Sequence, residues 1–251
     1  MNSPMKKHLA LLALSAAFLS GASAATVLDT FNRANTGPQT DNPNAIGTDW
    51  TIQRGTWEIL NQRVTDPAGG TPGVLTWNSL QSSNTGGNFF TTSSIMACTQ
   101  AGGLMMGMVF NFQDMNNYYA FRFDTDAGHV QWLTVSGGSE SAVFTDFNAF
   151  VPVLGRDYRV TVASSTAYIA SFEIFDTVTS SVVYSRGATE DSSHLFTDGY
   201  AGLYSNFTAS TYSFDSFELT SVPEPSQIAL LVLGAGAVLM TVRKRTRLAR
   251  A

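Results

Sequence analysis

The stretch LMMGMVFNFQDMNNYYAFRFD, residues 104–124, decides the fold class of this chain. Apolar side chains occupy every second position in both of its halves, which is the period of a half-buried β-strand. The first half predicts a strand whose core face holds Leu104, Met106, Met108, Phe110 and Phe112. The second half predicts a strand whose core face holds Tyr119, Phe121 and Phe123. Asp114, Asn116 and Asn117 lie between the halves and favour a turn, so the stretch predicts a β-hairpin.

The same alternation recurs through residues 25–221, where no segment keeps the 3.6-residue apolar period of a helix. Turn-forming residues divide this part of the chain into roughly 12 to 14 strands, as in a β-sandwich. Phe214 and Phe217 are three positions apart and break the period within the last strand. A β-bulge near Asp215 and Ser216 would return both rings to one face.

The N-terminus predicts a secretory signal peptide over residues 1–24. Two lysines precede an apolar run at residues 9–19, and Ala22 and Ala24 supply the small-x-small pattern of a cleavage site. We expect cleavage after Ala24 by signal peptidase. An uncleaved anchor is the alternative, but eleven apolar residues are too few to span a bilayer.

The C-terminal segment, residues 222–251, has three parts in a fixed order. It begins with Pro223, Glu224 and Pro225. An apolar run at residues 228–242 follows, and fifteen helical residues rise about 22 Å, which makes a short transmembrane helix. The run ends at a basic cluster formed by Arg243, Lys244 and Arg245. Basic residues favour the cytoplasmic side, so the preceding domain is expected outside the inner membrane.

This tripartite tail resembles the PEP-CTERM sorting signal of Gram-negative bacteria. The resemblance implies processing by an exosortase, which recognises such tails in the inner membrane, and delivery to the cell surface or the extracellular matrix. An ordinary tail anchor that contains a chance Pro-Glu-Pro is the alternative.

The charge of the central domain excludes one class of partner. Residues 25–221 contain seven arginines, no lysine and 18 acidic side chains, a net charge of −11. Nucleic-acid binding depends on a clustered basic surface that releases counterions from phosphates. We therefore expect no nucleic-acid partner.

The single cysteine and the two histidines of the domain do not indicate a disulfide or a metal site. Cys98 has no partner for an intramolecular disulfide and is expected as a small buried side chain. His129 and His194 are 65 positions apart and fit no metal-ligand spacing, so we expect them at the surface or at strand ends.

Several short motifs of the domain, taken in order, resemble the concanavalin A-like lectin/glucanase superfamily, in its LamG-like and 3-keto-disaccharide-hydrolase-like branch. The matching segments are residues 29–33, 50–51, 55–59, 61–64, 108–124, 196–203 and 214–217. The resemblance implies a jelly-roll sandwich of two large antiparallel sheets, with Trp57 as a packing residue. The fold hosts enzymes and binding modules alike, so it does not decide the function.

Catalytic and metal-binding patterns are weak in this sequence. Retaining glucanases of the superfamily carry acids at alternate positions of one strand, in an E-x-D-x-x-E array that is absent here. Glu173 and Asp176 would point to opposite faces of a strand. Asp124 and Asp126 lead into Gly128 and favour a turn over a catalytic pair or a calcium loop. Calcium stays a candidate cofactor because related LamG-like domains often bind it.

Carbohydrate binding would require exposed rings beside amides and carboxylates. The candidate residues are Trp132, Asp114, Asn116, Asn117 and Trp77. Core packing is the favoured alternative for each tryptophan. Three functions therefore stay open: a non-catalytic surface protein that binds polysaccharide, a glycoside-processing enzyme, and a structural component of the matrix.

Overall fold

Fifteen strands make up the described part of the chain in the computed structural model, which covers residues 25–40, 46–67, 72–81, 90–100, 105–166, 168–206 and 212–221. No helix occurs in these ranges, and accordingly none that could cross a membrane. Thr26–Ser221 form one compact unit. The predicted signal peptide and the predicted sorting tail lie outside the described residues.

The strands are defined by the following bounds: β1 (Ala25–Asp29), β2 (Trp50–Arg54), β3 (Glu58–Leu60), β4 (Arg63–Thr65), β5 (Pro72–Gln81), β6 (Phe90–Cys98), β7 (Met105–Asp114), β8 (Asn117–Asp124), β9 (Val130–Ser136), β10 (Ser139–Asp146), β11 (Tyr158–Thr166), β12 (Ile169–Asp176), β13 (Ser181–Glu190), β14 (Tyr200–Asn206) and β15 (Tyr212–Ser221).

Two antiparallel sheets pack face to face, which confirms the predicted all-β sandwich. The eight-stranded sheet has the order β13-β12-β11-β6-β15-β4-β3, with β1 paired to β15. The seven-stranded sheet has the order β10-β9-β8-β7-β14-β5-β2. Adjacent strands such as β7 and β14 are far apart in sequence, so the sheet brings residues from distant segments side by side.

Aromatic side chains fill the space between the sheets. The ring of Phe121 on β8 stacks on that of Phe172 on β12, with centroids 4.5 Å apart. Trp50 on β2 contacts Phe217 on β15 at 4.9 Å. Trp57 is fully buried against Phe214, which confirms its predicted packing role. These offset and edge-on contacts add to the hydrophobic stabilisation of the core.

The last strand contains the predicted bulge. Pairing of β15 with β6 shifts register between Asp215 and Glu218, and Ser216 adopts a positive φ of 50°. As a result Phe214 and Phe217 are both fully buried in the core between the sheets.

The predicted face of Phe112 is wrong, for a similar reason. Asn111 adopts a positive φ of 47°, and the pairing of β7 with β8 becomes irregular after Phe110. The extra residue turns Phe112 to the outer face of the seven-stranded sheet, where it packs on Tyr118. Met106, Met108 and Phe110 lie in the core as predicted. Leu104 falls outside the described residues.

Candidate functional site

The two candidate tryptophans are core residues. Trp132 on β9 is 1% exposed and lies against Phe172, while Trp77 on β5 is 7% exposed and contacts Trp50 at 5.1 Å. Neither ring has a face open to a ligand, because inward-facing positions of both strands lie between the sheets. Core packing, the alternative favoured by the sequence, is therefore correct for both.

The polar candidates Asp114, Asn116 and Asn117 do come together, in the exposed turn between β7 and β8. The carboxylate of Asp114 accepts hydrogen bonds from the side-chain amide of Asn117 at 2.9 and 3.0 Å. It also accepts one from the backbone N–H of Asn116 at 2.7 Å. These donors lower the pKa of Asp114, the Asn117 side chain having the largest effect.

Two other segments are hydrogen-bonded to this turn. The backbone N–H of Gly138, between β9 and β10, donates to the carbonyl of Asn116 at 3.0 Å. Gln113 donates to the carboxylate of Asp198, which precedes β14, at 3.1 Å. We call the polar residues of this end the hairpin-tip cluster: the exposed Gln113, Asp114, Asn116 and Asp198, together with the half-buried Asn117.

A tyrosine borders the hairpin-tip cluster. Tyr200 starts β14 opposite Phe112 of β7 and is half-buried. Its ring packs on the outer-face apolar cluster, as does the half-buried Met115. The sequence did not indicate Gln113, Asp198 and Tyr200 as site residues, because the β7–β14 pairing joins positions about 85 residues apart. The only local signal at Tyr200 is the resemblance of residues 196–203 to a turn of the superfamily.

The outer face of the seven-stranded sheet carries a polar network centred on Arg122 of β8. Its guanidinium donates to Glu140 at 3.1 Å, to Gln131 at 3.0 Å and to the hydroxyl of Tyr204 at 2.9 Å. Glu140 remains 42% exposed. The apolar residues of the same face are nearly excluded from solvent; they are Val74, Val109, Phe112, Tyr118, Ala120, Val135 and Tyr204.

The acidic residues considered for catalysis are engaged structurally or separated. A carboxylate oxygen of Asp124 accepts the backbone N–H groups of Asp126 and Ala127 at 3.0 and 3.3 Å, which confirms the predicted turn. Glu173 lies on the outer face of β12, whereas Asp176 is buried and paired with Arg156 at 2.7 Å. The two carboxylates lie on opposite faces of β12, which agrees with the prediction from their spacing.

Calcium is the candidate cofactor, and a site for it needs clustered oxygen ligands. The described residues contain no group of three His, Cys, Asp or Glu side chains placed to hold a metal ion. Hard cations such as calcium need six to eight oxygen ligands, and the Asp124 carboxylate already accepts backbone hydrogen bonds. The described residues therefore supply no acidic cluster that fits the candidate cofactor.

Both histidines lie at the surface or in connections between strands, as predicted. His194 follows β13, stacks on Tyr168 with centroids 4.1 Å apart and contacts Glu190 at 2.7 Å. His129 lies between β8 and β9, edge-on to the exposed ring of Phe147.

Comparison with known proteins identifies the fold of the domain but not its family. The sequence matches no protein-family model and no curated protein. Peanut lectin is similar in structure, with a TM-score of 0.55 and 14% identity over 80% of this chain and 98% of the lectin. The CBM2 module of the evolved Dit protein of Lactobacillus casei BL23 phage J-1 gives a TM-score of 0.54 and 12% identity, over 81% of this chain and 98% of the module.

One part of a GH43 protein is similar in structure as well. The GH43 protein BlXynB of Bacillus licheniformis gives a TM-score of 0.52 and 12% identity over 78% of this chain. Only 39% of that protein is covered, so the similarity concerns one part of it. All three similarities agree with the strand topology: the described domain has a lectin-like jelly-roll sandwich fold.

Proposed function

We propose that residues 25–221 form a non-catalytic carbohydrate-binding domain that contacts its ligand through the hairpin-tip cluster and Tyr200. The observation that carries the proposal is the joining of three connections into one exposed polar end beside a half-buried ring. Amides and carboxylates hydrogen-bond sugar hydroxyls, and a ring packs on the apolar C–H face of a sugar.

The internal hydrogen bonds of the hairpin-tip cluster support a binding role. Asp114 orients Asn117, whose side-chain oxygen accepts the backbone N–H of Gly137 at 3.2 Å. The side-chain amide of Asn116 is exposed and available to a ligand. Polar groups held in place before binding lose less conformational entropy on contact with the ligand, which raises affinity.

The pairing of the arginines favours a neutral glycan over an acidic one. Five of the seven arginines of the domain form ion pairs, namely Arg33, Arg63, Arg122, Arg156 and Arg186. Arg159 lies over the ring of Phe175 at 4.7 Å, and Arg54 is exposed. With a net charge of −11, the domain would repel a polyanion and has few free cations to offset that repulsion.

Affinity electrophoresis of the purified full-length chain tests this proposal. Gels would contain a neutral polysaccharide (xylan, levan or a β-glucan) or an acidic one (alginate). We expect retardation by at least one neutral polymer, its loss in Tyr200→Ala, and none by alginate. Phe147→Ala is the matched control, because it removes an exposed ring next to His129, outside the hairpin-tip cluster. No retardation with any polymer, or equal loss in both variants, would overturn the proposal.

Catalysis is the alternative that the shared fold of a GH43 protein favours. The same polysaccharides are therefore incubated with the full-length chain and assayed for new reducing ends. Product that increases in proportion to protein would replace the binding proposal with a glycoside-processing one. If the chain neither binds these polysaccharides nor releases new reducing ends from them, a structural role in the matrix is the remaining function.

We further propose that the chain is exported across the inner membrane of a Gram-negative bacterium and sorted by an exosortase. The tail that supports this comprises Pro223, Glu224, Pro225, the apolar run at 228–242 and the basic cluster. Mass spectrometry of surface material tests the proposal. We expect peptides that end near the Pro-Glu-Pro, and recovery of only full-length chain with residues 228–251 attached would contradict it.

A further inference from the structure

A depression of about 310 Å³ lies on the eight-stranded sheet, apart from the hairpin-tip cluster on the other sheet. Its walls come from β11, β12 and β13 and include Thr161, Ala163, Ser171, Glu173, Ser185 and Gly187. This volume is at the lower end of the range for small-ligand pockets and suits a single sugar ring.

The strand register explains the shape of the depression. Thr161, Glu173 and Ser185 are direct cross-strand partners and form one row across three strands. Next to this row are Ser171 and Ala163, paired with each other, whose side chains are small. The pairing of β12 with β13 is irregular beyond Phe172 and Arg186, and a methyl group on the neighbouring Gly187 would meet no atom within 4 Å. Bulges of this kind often border ligand sites, because they redirect side chains.

Glu173 is the uncompensated charge of the depression. It is half-buried, and no described residue donates a hydrogen bond to its carboxylate or forms an ion pair with it. Arg186 also borders the depression, but Asp146 binds its guanidinium at 2.5 and 2.7 Å. The nearby Arg159 stacks on Phe175. A carboxylate without a cation, in a domain of net charge −11, attracts a cationic group.

We infer that this depression is a second glycan subsite, in which Glu173 binds the ammonium group of an amino sugar. An ammonium has three donors and forms short, charge-assisted hydrogen bonds to a carboxylate. The hydroxyls of Thr161 and Ser185 can exchange hydrogen bonds with the hydroxyls of the same ring, and that of Ser171, which donates to the carbonyl of Ala163 at 3.3 Å, can accept one. The hydroxyl side chains in the lining favour a sugar over a lysine side chain, because a sugar ring carries hydroxyls that pair with them and a lysine has only its ammonium group. The inference rests on the proposed carbohydrate-binding function.

Isothermal titration calorimetry on the full-length chain tests the inference. The probes are chitosan oligomers with free amines, fully N-acetylated chitin oligomers of equal length, and oligolysine. We expect chitosan to bind, and Glu173→Gln to weaken that binding by about tenfold to a hundredfold, as for loss of a charge-assisted hydrogen bond. Neither chitin nor oligolysine should show binding that depends on Glu173.

Glu218→Gln is the matched control. Glu218 is an exposed acid in the same cross-strand row, linked through Ser93 to Thr161. Equal weakening in both variants would indicate general attraction to a negative domain and would overturn the inference. So would unchanged affinity in Glu173→Gln, or Glu173-dependent binding of oligolysine, which would make the ligand a basic peptide. Tyr200→Ala should leave chitosan binding to this depression unchanged. The inference about the depression and the proposal for the hairpin-tip cluster can therefore be contradicted independently of each other.

Discussion

Arg122 and Tyr204 are hydrogen-bonded at 2.9 Å although their strands, β8 and β14, do not pair with each other. Gly107 of β7 lies between them and is the register partner of both. A Cβ at this position would meet the backbone of Phe121 and Arg122, so glycine is what lets β7 lie close against β8 where the two side chains bond. The network on the outer face of the seven-stranded sheet thus depends on one glycine.

Removing the hydroxyl should destabilise the fold. In Tyr204→Phe the buried guanidinium of Arg122 loses an acceptor, and we expect the free energy of unfolding to fall by about 1–2 kcal/mol. Urea denaturation measures this change. Tyr200→Phe, which removes the hydroxyl of a half-exposed tyrosine, should change stability by less than about 0.5 kcal/mol. Equal effects of the two variants would contradict the prediction.

A methyl group at position 107 should also be destabilising. A Cβ there would collide with the carbonyl oxygen of Phe121, so the two strands would have to move apart. We expect Gly107→Ala to lower the free energy of unfolding by about 1–3 kcal/mol or to prevent folding. Gly187→Ala is the control, because nothing lies within 4 Å of its Cβ position. A stable Gly107→Ala variant would show that the strands can separate without cost.

The bulge in β15 should resist β-branched residues. Ser216 has a φ of 50°, a conformation that is unfavourable for valine, whereas the half-buried Ser213 of the same strand pairs regularly with Ala97. We expect Ser216→Val to cost about 1–2 kcal/mol and Ser213→Val to cost far less. Thermal unfolding of both variants checks the difference. A larger loss for Ser213→Val would be the contrary result.

Acid should weaken the fold through Asp176. Burial alone would raise the pKa of this carboxyl, but the backbone N–H of Thr179 and the guanidinium of Arg156 outweigh it and lower the pKa to about 2. Because the folded pKa lies below the unfolded one, the stabilisation is complete above about pH 4 and is lost as the pH falls towards 2. The stability difference between the native chain and Asp176→Asn should therefore shrink across this range in urea titrations. A difference that stays constant would contradict the prediction.

Cys98 should report on unfolding. The thiol is 1% exposed, and burial raises its pKa to about 11, so the reactive thiolate is scarce at neutral pH. We expect Ellman's reagent to leave the native chain unmodified at pH 8 and to label one thiol per chain in urea. Fast labelling without denaturant would mean that β6 opens locally.

Local periodicity accounts for most of what the sequence predicted correctly. Alternation of apolar and polar residues marks strands and their buried faces, because successive side chains of a strand point to opposite faces of the sheet. The break between Phe214 and Phe217 even located a bulge. The same rule failed at Phe112, since nothing in the local pattern indicates that Asn111 adopts a positive φ.

Tertiary structure decided which polar groups meet. Gln113 reaches Asp198 and Arg122 reaches Tyr204 through strand pairings between distant segments. Glu173 borders a depression next to Gly187 because the register of three consecutive strands places them there. The alternation pattern assigns a residue to one face of its strand, but it does not indicate which strand will pair with that strand. The sequence by itself thus determined an acidic β-sandwich, whereas its export stays a prediction. The candidate binding surfaces depend on strand order and register, which arise from packing of the whole core.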